Sequence, residues 1–148
     1  MLIRRLLVAV DGSNPSLKAS TFAIDLAKRF DAELIVLHII DPRYKELEIA
    51  ISPRPGRFKE IKKKVTKDAE KILDAVRLKA VEMNVNVITD TIDGATSVMK
   101  DIVHYAKVKK VDVIVIGSRG MTGFKKLLLG SVASGVVTYS HCTVLVVK

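Results

Sequence analysis

The chain reads as an open α/β sheet of five parallel strands with helices on both faces, and three observations carry that reading. Leu6 to Val10 and Val113 to Ile116 are continuous apolar runs, and Leu34 to Ile39 is apolar but for His38, the pattern of parallel strands buried on both faces. Between such runs lie segments with apolar residues at three- and four-residue spacing, the helical period. Short turn signals, Asp11-Gly12-Ser13, Asp93-Gly94 and Gly117-Ser118, follow the strands. Strict alternation of strand and helix implies right-handed crossovers and a parallel sheet.

Taken in order, the strand Leu6 to Val10 ends at Asp11-Gly12-Ser13, where Asn14 suits a helix N-cap and Pro15 the first helical position. The helix runs to Phe30 with Leu17, Ala23, Leu26, Ala27 and Phe30 on its apolar side. After the second strand, residues 41–58 carry Pro42, Pro53, Pro55 and Gly56 and read as a long loop. A long helix follows to Met83, its apolar side formed by Ile61, Val65, Ala69, Ile72 and Val76. Val85 to Ile92, interrupted by Asn86 and Asp90, reads as an edge strand. A helix over 96–109, the fourth strand over 111–116, a helix over 131–140 and a last strand, Thr143 to Val147, complete the series.

Composition bounds the function. At 148 residues, nearly half of them hydrophobic, the chain suits one domain over 1–148 with a sizeable core. Only five apolar residues follow Arg4-Arg5, too few for a secretory signal, and no run approaches the ~20 of a membrane span. A single cysteine, Cys142, forms no internal disulfide. These features predict a soluble, cytoplasmic protein without a membrane partner. Between Arg54 and Lys79, ten basic residues face four acids, so this one segment carries +6 of the net charge of +9. A solvated basic face explains this. Nucleic acid is the weaker reading, because aromatic residues do not alternate with the charges as a base-stacking platform requires.

The fourth strand leads into Gly-Ser-Arg-Gly at 117–120, nine further residues, then Gly130-Ser131 at the start of a helix. Gly117, Gly120 and Gly130 can take positive φ and bring amides close to an anion. A helix N-terminus beside them favours phosphate. With strands 1 and 4 flanking the point where strand order reverses, Asp11 and this loop face one cleft. Asp11 is an acceptor suited to a ribose hydroxyl or an exocyclic amine; the amides of Arg119, Gly120, Gly130 and Ser131 are donors suited to phosphate. The first turn lacks G-x-G-x-x-G, and no G-x-x-x-x-G-K-[ST] occurs. His38, His104 and His141 are scattered, without metal-ligand spacing.

Val-Ala-Val-Asp-Gly-Ser at 8–13, Leu-His-Ile-Ile-Asp at 37–41, the glycine pattern at 117–131 and the terminal Thr-Val-Leu-Val-Val resemble the universal stress protein family over essentially the whole chain. The glycine pattern is that of its ATP-binding branch. The resemblance implies strand order 3-2-1-4-5 in a Rossmann-like, adenine nucleotide alpha hydrolase-like fold. It further implies an adenine nucleotide ligand, with Mg²⁺ or Mn²⁺ held mainly through the phosphates, and a homodimer. Val144 to Val147, four consecutive apolar residues at a sheet edge, place its seam at the last strand, 143–148. Carried over by position, Asp11 contacts the nucleoside and Ile39 lines the adenine pocket through its backbone. Gly117, Gly120, Gly130 and Ser131 hold ribose and phosphates, with Val132 adjoining and Arg119 within reach of a phosphate. Thr143 stands where the family usually has proline.

Three functions remain open on the sequence. The first is a homodimeric, ATP-binding regulatory module of the stress response. The second is a slow ATPase or phosphotransferase, for which no base is evident beside the phosphate donors. The third is an interaction protein binding nucleic acid or an acidic partner through the basic helix 57–83.

Overall fold

The computed structural model describes residues 1–44, 46, 50, 54–120 and 129–148. Strands β1 (Arg5–Ala9), β2 (Glu33–Ile40), β3 (Val87–Asp93), β4 (Val113–Gly117) and β5 (Thr143–Val147) alternate with helices α1 (Asn14–Phe30), α2 (Arg57–Glu82), α3 (Val98–Val108) and α4 (Ser131–Tyr139). All four strand pairings are parallel, and the sheet order is β3-β2-β1-β4-β5. Order and direction are those expected. β4 is buried along its whole length, and Leu6, Leu7 and Val8 of β1 are fully buried, as befits strands covered on both sides.

Two apolar layers flank the sheet. On one side Leu6, Val8, Leu34 and Val36 meet α1 and α2; on the other Leu7, Ile35, Leu37 and Ile114 meet α3 and α4. α1 lies close to the strands through small residues, Ala19, Ala23 and Ala27, with Ile24. Phe30, expected on that face, is 48 % exposed instead; it is the last residue of α1, next to the left-handed C-cap Asp31. The N-cap is Ser13 rather than Asn14: the Ser13 hydroxyl accepts from the Ser16 N–H at 3.3 Å.

α2 differs from its expected face. Its buried residues are Ala69, Leu73, Val76 and Ala80, so Ile61 and Val65, half-buried, precede the core contact. The lysines of the first three turns are exposed. The 41–58 loop lies partly outside the described residues. The part that is described continues β2 into a turn in which Tyr44 N–H donates to Asp41 O at 3.1 Å.

β3 and β5 form the two edges. The Tyr105 hydroxyl of α3 donates to the Asp90 carboxylate of β3 at 2.9 Å. Burial, then that carboxylate, pushes the phenol well above its ordinary range. Polar residues such as Asp90 and Asp93 make β3 a poor template for another strand. Gly12 has φ +84°, the left-handed region that lets the chain leave β1 sharply and enter α1. Cys142 packs against the α3–α4 layer, and burial, then the Asp112 carboxylate, raises its thiol pKa. That is the environment of a structural rather than a reactive cysteine.

Candidate nucleotide-binding cleft

Parallel strands that end at different heights leave a cleft at their carboxyl edge. β1 is last paired at Ala9 with Leu37, whereas β2 continues beside β3 to Ile40. Where β1 turns away and β4 ends, a cleft of about 450 Å³ opens, floored by Leu37, Ile39, Ile102 and Ile116. Asp11, Ile39, Gly117, Arg119, Gly120, Gly130, Ser131 and Val132 all line it. Residues separated by more than a hundred positions thus meet at one place, the point of strand-order reversal. A smaller hollow of about 200 Å³, between the carboxyl ends of α1 and α2, gathers none of them.

The glycines act by close approach, not by positive φ. None of Gly117, Gly120 and Gly130 lies in the left-handed region. A Cβ on Gly117 would stand 2.8 Å from Pro15 C and O, so this position lets the start of α1 pack on the end of β4. A Cβ on Gly120 would come within 2.9 Å of Asp11 Oδ2. Asp11 therefore sits beside the glycine loop rather than at the far end of the cleft from it. Its Oδ1 accepts from the Ser13 N–H at 2.9 Å and the Ser13 hydroxyl at 2.5 Å, which ties the carboxylate to the first turn of α1.

Gly130, not Ser131, is the N-cap of α4, at φ −65° and ψ 160°, and no side-chain hydrogen bond caps the helix. The Gly130 N–H is already given to Ser118 O at 2.6 Å, so it does not join the anion donors anticipated from the sequence. The first in-helix bond runs from Ser134 N–H to Gly130 O at 2.9 Å. The amides of Ser131, Val132 and Ala133 are left at the positive end of the helix dipole, all three residues lining the cleft. Residues 121–128, the centre of the loop, lie outside the described residues.

The other end of the cleft has different chemistry. In a parallel ladder alternate residues bond to alternate sides. Val10 N–H donates to Leu37 O at 2.9 Å, which places the Leu37 and Ile39 amide and carbonyl groups on the β1 side. One rung further, β1 has turned away, and Ile39 presents a donor and an acceptor to the cleft. His38, Asp41, Arg43 and Tyr44 also line this end and were not singled out as site residues from the sequence. Their signal was the strand that outruns its neighbour, which becomes visible only once strands are paired. The Arg43 guanidinium grips Asp41 at 2.5 and 3.0 Å and holds that carboxyl below its ordinary range. Among the described residues no cluster of three metal-ligating side chains occurs, and no helix is long and apolar enough to cross a membrane.

A model of the universal stress protein family matches residues 2–148. The chain belongs to that family. It is 37 % identical over 154 residues to universal stress protein YxiE of Bacillus subtilis, covering 99 % of this chain and 100 % of that protein. It is 35 % identical over 147 residues to universal stress protein MJ0531 of Methanocaldococcus jannaschii, covering 99 % and 83 %. Among solved structures, hypothetical protein MJ0577 superposes with a TM-score of 0.79 at 30 % identity, over 100 % of this chain and 97 % of that one. Two more distant members of the fold were solved with adenine nucleotides. One, from Archaeoglobus fulgidus, holds dAMP (TM-score 0.72, 19 % identity, full coverage of both chains). Another is a complex with cAMP (TM-score 0.70, 23 % identity, 100 % and 98 % coverage). This universal stress protein thus shares its fold with proteins solved in complex with dAMP and cAMP.

Proposed function

We propose that this universal stress protein is a regulatory module that binds an adenine nucleotide, ATP above all, in a single domain. The reading is carried by one observation: a single cleft joins the Ile39 backbone donor–acceptor pair, the Asp11 carboxylate and the uncapped N-terminus of α4. The first suits a base edge, the second a nucleoside hydroxyl or amine, the third phosphate. The nucleotide complexes of distant relatives support the same ligand class. Mg²⁺ or Mn²⁺ would arrive on the phosphates. Asp11 is the carboxylate beside the glycine loop, and a divalent cation needs more oxygens than it supplies.

Binding rather than turnover is the function proposed, because phosphoryl transfer needs a positioned base as well as donors. Asp11 is engaged in holding the first turn of α1. Asp11→Asn keeps an oxygen for Ser13 and removes the charge, and it should weaken ATP binding by roughly 10- to 100-fold in calorimetry. Slow hydrolysis at saturating ATP should stay as it was, since a contact equal in ground and transition states changes affinity alone. A robust wild-type rate abolished by this substitution would establish the enzyme instead.

The module is proposed to work as a cytoplasmic homodimer. Val144 to Val147 are half-buried on the β5 edge, and apolar edges of this kind are normally paired or covered. A two-fold mate adding its own β5 would cover it. Removal of residues 143–148 should give monomers or aggregates in light scattering; an intact dimer would place the interface elsewhere.

A further inference from the structure

We propose that His38 is a positioning residue that keeps the Ile39 backbone open to the base. The inference rests on the adenine reading of this cleft and adds to it the device that prepares the base-binding edge. In the β1–β2 ladder, the last rung is Val10 N–H to Leu37 O at 2.9 Å. The next rung of a continuing parallel ladder would be Ile39 N–H to Val10 O. It is not formed. The Val10 carbonyl instead lies 2.7 Å from His38 Nδ1. A carbonyl oxygen only accepts, so Nδ1 carries the proton, and it does so in both the neutral ring and the cation.

The side chain thus takes the acceptor that the neighbouring main-chain amide would use. A partly buried carbonyl demands a partner, and with His38 supplying it, Val10 has no need of Ile39. The Ile39 N–H and C=O remain side by side at the cleft floor, in a residue only 7 % exposed. A donor beside an acceptor at strand spacing fits a heterocycle bearing a ring-nitrogen acceptor next to an exocyclic amine. That is the edge adenine presents. The ladder therefore stops one residue early for a local reason, and the stop coincides with the mouth of the cleft between β1 and β4.

The decisive measurement is amide hydrogen exchange of Ile39 by NMR on nucleotide-free protein, compared with calorimetric affinity for ATP. Wild type should exchange Ile39 rapidly. In His38→Ala, and in His38→Phe, which keeps a ring without the donor, Ile39 N–H should close on Val10 O and exchange at least tenfold more slowly. ATP affinity should fall by roughly tenfold in both. His38→Asn, whose amide nitrogen can stand in for Nδ1–H, should restore fast exchange and most of the affinity. Equal Ile39 exchange in wild type and both donor-free variants would overturn the proposal, whatever ATP does. Slowed exchange in a protein whose wild type has no ATP affinity would leave the strand-end device standing and remove the adenine reading instead.

Discussion

Replacing Leu7 with alanine should destabilise the fold by about 2–5 kcal/mol, the range for truncating a fully buried leucine. Leu7 lies on the central strand with none of its surface exposed, and it packs among Ile35, Leu37, Ile102 and Ile114. Truncation opens a cavity between the sheet and α3 that rigid neighbours fill only in part. Against a total stability of ~5–15 kcal/mol for an ordinary domain, this is a large fraction. Urea titration should show a lower midpoint with an unchanged slope. Ile88→Ala, on the β3 edge at a residue 45 % exposed, should cost well under half as much. Equal losses at the two positions would contradict the two-layer core.

Gly117→Val should be nearly as damaging, by ~3 kcal/mol, and it separates packing from ligand contact. Its Cβ would stand 2.8 Å from the Pro15 backbone. Backbone cannot swing aside as a flexible side chain can, so α1 must lift from β4. The melting temperature should fall by roughly 6–12 °C. Gly130→Val is the internal comparison. Gly130 has φ −65° and ψ 160°, which valine adopts readily. A Cβ there meets Ser118 O at 3.3 Å and Arg119 Cα at 3.4 Å, tight but adjustable contacts. That variant should fold with near-native circular dichroism and lose ATP affinity. A Gly117→Val protein as stable as wild type would refute the close approach of α1.

The glycines also mark how far the residues alone could be read. Strand and helix order followed from apolar runs and from helical periodicity, because burial on two faces and on one face leave different patterns in the chain. The candidate site was legible as pieces: Asp11 after the first strand, the spaced glycines after the fourth, Ile39 through family resemblance. Why each glycine is required was not legible. The sequence suggests backbone freedom, whereas Gly117 and Gly120 answer to Pro15 and Asp11, partners distant along the chain. Phe30 illustrates the same limit. Its helical spacing places it on the apolar side of α1, but it is the last residue of the helix and stays half-exposed.

The sequence by itself determined the parallel α/β class, the order of elements, the edge character of β3 and the placement of chemistry at strand ends. Each is a local matter of which residues bury a face and which turn the chain. Only the tertiary structure decided where β1 stops beside β2, that Gly130 rather than Ser131 caps α4, and that His38 takes the Val10 carbonyl. Those outcomes depend on which of several competing donors reaches a given carbonyl first. That competition is settled by distances between segments remote in the chain, to which no local pattern of residue types has access.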